Sequence, residues 1–334
     1  MTHNTLGHDE IEAFRADFQR LESALGQAIV GQERTVRELL VAVVSGGHVL
    51  LEGLPGLGKT HLAKGLANAI GHPLARVQCT PDLLPSDITG SEVLVHAEGT
   101  PGPELRFRPG PLFASLILVD EINRATSRTQ SALLEAMQER QVTHGGTVYP
   151  LPSPFWVIAT QNPIELEGTY PLPEAQLDRF FFKCEVRYPD QGALARIAAV
   201  SLDEEPADHV PLILGGGRID EMMKQTREVV IAEPVVRSAI ALVLATQPDE
   251  AGSSRLARRH IRYGASPRAL QTLLRAARVR ALAEGQGHVA REDLRAVALP
   301  ALRHRVLLNV ESEVEGVAVD DLLERILEQW DAAH

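Results

Sequence analysis

The chain has 334 residues, 44% apolar and 23% charged, and its 44 acidic against 33 basic side chains leave a formal net charge of -11. That is apolar material for a sizeable core in two domains, and the acidic balance argues against a broad basic footprint on a nucleic-acid backbone. Two cysteines give no disulfide framework, twelve scattered histidines show no paired ligand spacing, and no apolar run approaches the roughly 18 residues that span a bilayer, so the expectation is a cytoplasmic protein with no transition metal and no membrane insertion.

The first half alternates strand-like and helix-like segments, the pattern of a parallel sheet wrapped by helices. Five short apolar runs read as strands: His48 to Glu52, Ala75 to Thr80, Leu116 to Asp120, Phe155 to Thr160 and Phe180 to Val186. Cys79 and Cys184 fall in two of these runs, where a free thiol acts as a small apolar group. Thr60 to Ile70 and Thr126 to Arg140 carry helical amphipathicity, with Ala132, Leu133, Ala136 and Met137 on one face. Two stretches break the alternation. Residues 90–111 hold SEVLVH, a turn-rich AEGTPGP and ELRFR, an inserted hairpin; residues 141–150 hold QVT, a Gly145-Gly146 turn and TVY, a second one.

After Pro189 the strand character disappears. Residues 190–219, with Gly215-Gly216-Gly217, read as a linker, and residues 203–219 are open between a hinge and a surface loop. Residues 220–334 read as a helical bundle, including Pro234 to Thr246, Pro267 to Glu284 and Arg291 to His304. Ser266-Pro267-Arg268 is the clearest helix start, a capping serine before a proline in the first helical position. Ala290 stands where a Ser or Thr cap is usual, leaving the start of the last of these helices undefined. The cluster Arg255, Arg258, Arg259, Arg262 and Arg268 reads as a solvated or interface face.

Two motifs carry chemistry. Gly53-Leu54-Pro55-Gly56-Leu57-Gly58-Lys59-Thr60 satisfies GxxxxGK[ST] and lies between an expected strand and an expected helix. Its glycines let backbone N–H groups wrap a phosphate at a helix N-terminus, Lys59 reaches the terminal phosphates, and the Thr60 hydroxyl serves a Mg²⁺ shell. Leu116 to Val119 then runs into Asp120-Glu121, adjacent carboxylates at the C-terminal end of a buried strand. Such a pair can serve both needs of phosphoryl transfer, Asp120 toward Mg²⁺ and Glu121 toward the attacking water.

The ordered set GLPGLGKT, LILVDEINRA, ATQNP, LPEAQLDRF and GASPRA resembles the MoxR family of AAA+ ATPases over nearly the whole chain. The resemblance implies an α/β P-loop domain of 189 residues with a five-stranded parallel sheet flanked by helices, the P-loop strand central, followed by a small all-α lid. It implies Asn162 as sensor 1, Arg179 as an arginine finger for a neighbouring subunit, and Arg268 as sensor 2, turned toward the phosphates of its own subunit. Val30-Gly31-Gln32 resembles the segment beside the adenine. The family further implies ATP and Mg²⁺, a ring that is usually a homo-hexamer, hairpins facing its opening, and partners carrying a von Willebrand factor A domain.

The function expected is therefore Mg-dependent ATP hydrolysis driving chaperone-like remodelling or assembly of partner complexes. A nucleic-acid motor or loader, opposed by the charge and by the absence of an appended helix-turn-helix or zinc finger, is one alternative. A low-turnover nucleotide switch is another, and a P-loop small-molecule kinase would require an acceptor pocket over the P-loop.

Overall fold

The computed structural model describes residues 6–95, 103–164, 168–199 and 210–332. The chain opens with α1 (His8–Ala28) and α2 (Glu33–Val44), then β1 (Val49–Glu52), α3 (Lys59–Ile70), β2 (Leu74–Gln78) and the short α4 (Pro85–Thr89). A hairpin of β3 (Gly90–Val95) and β4 (Glu104–Pro109) precedes β5 (Leu116–Asp120) and α5 (Ser127–Glu139). A second hairpin, β6 (Gln141–His144) and β7 (Thr147–Pro150), leads into β8 (Trp156–Gln161), α6 (Glu174–Leu177), β9 (Phe182–Glu185) and α7 (Gln191–Ala199).

Strands β2, β5, β8, β1 and β9 form one parallel sheet in that order. The P-loop strand β1 is thus interior, between β8 and β9, but the middle strand is β8, a correction to the central position the resemblance implies. Alternate side chains feed two cores. Val49, Leu51, Leu116, Leu118, Trp156 and Ile158 face one way, Leu50, Ile117, Val119, Val157 and Ala159 the other. Burial on both sides explains why these strands read as continuous apolar runs. Each fully buried Leu, Ile or Val contributes roughly 1.5–3 kcal/mol relative to exposure.

The C-terminal part comprises α8 (Arg218–Glu228), α9 (Glu233–Ala245), α10 (Arg255–His260), β10 (Ile261–Tyr263), α11 (Pro267–Ala283), α12 (Arg291–Leu302), β11 (Leu307–Leu308), α13 (Val310–Val314) and α14 (Val319–Ala332). The expectation of a strand-free region fails at one place, because β10 and β11 pair antiparallel. Strands of two and three residues are too short for a period-two pattern to register in a sequence. Helix α11 begins as its sequence suggests, Ser266 Oγ accepting from the Arg268 N–H at 3.2 Å with Pro267 in the first turn. At α12 the missing Ser or Thr cap is offset from the other side: the Asp293 carboxylate accepts from the Ala290 N–H at 2.8 Å.

These helices share one apolar core with α1 to α3: Phe14, Leu39, Leu273, Leu294 and Trp330 belong to a single buried cluster. Both expected hairpins are present, with the Gly145-Gly146 turn at positive φ in each residue; most of the AEGTPGP turn, and residues 200–209 of the expected linker, lie outside the described residues. Among the described residues no helix is long and apolar enough to cross a membrane.

Candidate nucleotide site and the opposite edge of the sheet

The loop from Gly53 to Gly58 leaves the C-terminal end of β1 and turns into α3 at Lys59. Gly56 (φ 78°) and Gly58 (φ 82°) occupy the left-handed region that only glycine enters freely, and a Cβ at Gly53 would stand 2.6 Å from the Val186 carbonyl oxygen. A Cβ at Gly56 would meet nothing within 4 Å, so the loop opens onto free space. Lys59 donates to the carbonyls of Gly53 and, at 2.8 Å, Leu54. Burial lowers its pKa, against the pull of Asp120, Glu121 and Glu52.

Asp120 ends β5, buried, with three partners. Thr60 and Thr160 hydroxyls lie 3.5 and 3.3 Å from Oδ1, and Arg76 Nε donates to Oδ2 at 2.7 Å. Glu121 follows at φ 57°, ψ 53°, a left-handed backbone that a non-glycine residue adopts at some cost. Its N–H donates to Thr160 Oγ1 at 2.8 Å, while its carboxylate accepts from Gln78 at 3.3 Å and Arg124 at 3.1 Å. Asn162 lies just past β8, its Oδ1 accepting from the Ile164 N–H at 3.2 Å and its carbonyl from Asn123 Nδ2 at 3.4 Å.

The loop, Asp120, Glu121, Thr160 and Asn162 line one cleft of about 270 Å³. A hydroxyl and a carboxylate on one spot fit the oxygen-only preference of Mg²⁺, and Lys59, which among the described residues donates to carbonyls, fits an incoming anion. Beneath the cleft, burial first and then Asp120 and Glu121 push the Cys79 thiol up to about 12, so it stays protonated. Val30-Gly31-Gln32 lies on the flank of the loop. A Cβ at Gly58 would touch Ile29, Gln32 donates to the Arg187 carbonyl at 2.7 Å, and Gly31 sits against Pro189 and Ala193.

Arg76, Gln78, Arg124 and Thr160 were not singled out from the sequence. The available signal was positional. On β2, Gln78 stands in register with Asp120, so Arg76 and Gln78 point to the same side as the acidic pair.

Arg179 and Arg268 are elsewhere. They line a second cleft, of about 250 Å³, with Gly46, Gly47 and His48, which precede β1 where the P-loop follows it. The strand between those ends is four residues long, on the order of 13 Å. The expected turn of Arg268 toward its own phosphates is therefore not what the structure has. Its Nη1 is 3.5 Å from Asp178, which also accepts from Ser266 at 2.9 Å and from Arg305 at 2.8 Å. The physical reason is that Asp178, next to Arg179 in sequence, anchors the start of α11 to the opposite edge of the sheet. Arg179 Nε is buried there without a hydrogen-bond partner among the described residues.

The comparisons agree with this architecture. Residues 48–182 match the ATPase family associated with various cellular activities (AAA), and residues 253–326 match an AAA lid domain. The chain is 38% identical over 320 residues to "Chaperone MoxR1" of Mycobacterium tuberculosis, covering 95% of this chain and 83% of that protein. It is 35% identical to "Protein MoxR" of Paracoccus denitrificans, over 90% of this chain and 91% of that one. The crystal structure of a "putative ATPase" from Cytophaga hutchinsonii superposes with a TM-score of 0.85 at 39% identity, covering 95% of each chain.

Proposed function

The chain belongs to the MoxR family of AAA ATPases, and from that premise we propose that it hydrolyses ATP at sites shared between neighbouring subunits and uses the cycle to remodel or assemble partner complexes. One observation carries the reading. The cleft with Lys59, Thr60, Asp120 and Glu121 lies at one edge of the sheet, and the cationic pair Arg179 and Arg268 at the other. A site that needs both sets is completed by a second copy.

In this mechanism the amides of residues 53–60 and Lys59 take the charge of the β- and γ-phosphates. Thr60 and Asp120 would hold Mg²⁺, which would neutralise phosphate charge. Lys59 exchanges its carbonyl contacts for phosphate oxygens, and Asp120 gives up Arg76. Glu121 accepts a proton from the attacking water, which Asn162 orients. Val30-Gly31-Gln32 borders the base. Arg179 and Arg268 of the neighbouring copy stabilise the negative charge that develops in transfer, a contribution worth ~10³ to 10⁵ for an arginine finger.

Residues 1–189 form the ATPase core, 190–219 the linker and 220–334 the lid in this reading. The assembly is a homo-hexameric ring in the cytoplasm, and the partner class is a protein with a von Willebrand factor A domain. Loss of the γ-phosphate removes contacts from core, lid and neighbour together and shifts their arrangement.

The test is subunit mixing. Arg179→Ala protein combined with Lys59→Ala protein regains ATPase activity, because one interface then has an intact P-loop facing an intact arginine. Arg268→Ala combined with Lys59→Ala behaves alike. Rescue for Arg179 alone returns Arg268 to its own subunit's site, and rescue for neither defeats the shared site.

A further inference from the structure

A third cavity, of about 320 Å³, opens at the base of the sheet between the segment leading into β8 and helices α8 and α11. Four arginines line it, Arg140, Arg227, Arg275 and Arg278, and none of its lining residues is acidic. Surface arginines ordinarily find carboxylates, and this chain has many. Yet among the described residues none of these four forms an ion pair.

What they do contact leaves their charge unbalanced. Arg140 donates to the carbonyls of Phe155 and, at 3.2 Å, Gly46; Arg275 donates to the Ser45 carbonyl and stacks 5.3 Å over the Phe181 ring. The Ser45 and Gly46 carbonyls, just past the C-terminal end of α2, account for part of that attraction. They do not account for Arg227 or Arg278. Among the described residues the Arg278 Nε is enclosed with no partner, and so is the hydroxyl of Ser45, another lining residue. Such groups are costly to leave unmade, and both belong to residues that line this cationic cavity. Arg140 also holds φ 56°, one of two non-glycine residues with positive φ among the described residues, the other being Glu121.

We propose that this cavity is an anion site for a small phosphate-bearing ligand, held by the guanidinium groups of Arg140, Arg275 and Arg278 with the Ser45 hydroxyl, and with Arg227 at its rim. Planar guanidinium forks match phosphate oxygens in pairs, and the volume suits a small polyanion rather than a folded partner. The repulsion among the arginines agrees with this: burial first, then Arg275, lowers the Arg140 pKa, and burial first, then Arg227, lowers that of Arg275. An anion bridging these residues ties α8 and α11 to the base of β8. Gly46, Arg140 and Arg275 also line the cleft of Arg179 and Arg268, so occupancy would stabilise the lid against the core beside that cleft.

The inference stands apart from the nucleotide site, and its test removes that site. Lys59→Ala protein is titrated by calorimetry with pyrophosphate, inorganic phosphate and ADP. Pyrophosphate binds, and Arg275→Gln or Arg278→Gln in the same background weakens it roughly tenfold or more, the loss of a charge-assisted hydrogen bond, while Arg278→Lys retains part of the affinity. Tighter ADP than pyrophosphate identifies a nucleotide as the source, and the reverse order a free phosphate. As a check free of substitutions in the cavity, pyrophosphate protects Arg275 and Arg278 of Lys59→Ala protein from phenylglyoxal, read by peptide mass spectrometry. No binding of any of the three probes, affinity indifferent to both substitutions, or no protection overturns the proposal.

Discussion

At the scale of single residues, the adjacent carboxylates differ because their surroundings differ. Asp120 is buried among two threonine hydroxyls and Arg76, whereas Glu121, one step further, leaves the strand through a left-handed backbone and reaches the open cleft. Glu121→Gln keeps shape and removes the proposed base, so ATP binding by calorimetry should persist while turnover falls ~10²- to 10⁴-fold; turnover near wild type would remove Glu121 from its role. His48 shows a second residue-scale effect. Its Nδ1 accepts from the Val157 N–H at 3.0 Å and its Nε2 faces the Met137 carbonyl, so the ring is neutral with hydrogen on Nε2. Burial first, then Arg140, lowers its pKa to about 3. The unfolded chain therefore binds the extra proton between that value and the ordinary histidine range, and His304 is shifted the same way. Stability contributed by these rings is complete above about pH 6.5 and declines as pH falls below it, by on the order of a few kcal/mol. Urea midpoints measured from pH 7 to pH 4 should drop, and His48→Gln should flatten the decline.

At the scale of elements, the two hairpins are joined. Phe107 on β4 stacks on Tyr149 of β7 with ring centroids 4.2 Å apart, and His144 of β6 lies 5.3 Å from Phe107. Leu94 and Leu105, directly paired on the first hairpin, are 67% and 65% exposed, so an apolar pair is presented to whatever meets that face. Aromatic stacking of this kind is worth about 0.5–1.5 kcal/mol beyond area. Tyr149→Ala should speed amide hydrogen exchange in residues 90–95 and 104–109 several-fold while basal ATPase activity stays near wild type. Unchanged exchange there would mean that the hairpins are not coupled through this contact.

At the scale of the whole molecule, Asp178 is the joint between lid and core. It binds Arg305, whose side chain is 2% exposed, together with Ser266 and Arg268 at the start of α11. Burial, the largest influence, lowers the Arg305 pKa, and Asp178 opposes that shift, so removing the carboxylate strands a buried cation. Asp178→Ala should cost about 3–5 kcal/mol in unfolding free energy, the range for breaking a buried pair. A loss below about 1 kcal/mol would show that the continuous apolar core between α11 and α1 to α3 holds the lid unaided.

Much of this was legible before the structure. A P-loop is a contiguous run whose glycines and lysine act through backbone shape, and an acidic pair at the end of an apolar strand announces its own edge, so Gly53 to Thr60, Asp120 and Glu121 stand out by local pattern. Strands β1, β5 and β8 are legible for a related reason, since burial on both faces demands unbroken apolar runs. Contacts between distant segments leave no such trace. Arg76 and Gln78 reach the acidic pair through the register of two strands, and β10 pairs with β11 across 43 residues or more. Arg268 sits beside Arg179 rather than its own P-loop because Asp178 captures it, and four arginines, one just past α5 and three on α8 and α11, converge on one unneutralised cavity. The chemistry available to this protein is written in short motifs because local backbone geometry suffices to build it; which groups share a site depends on packing between elements far apart in the chain, and only the folded molecule decides that.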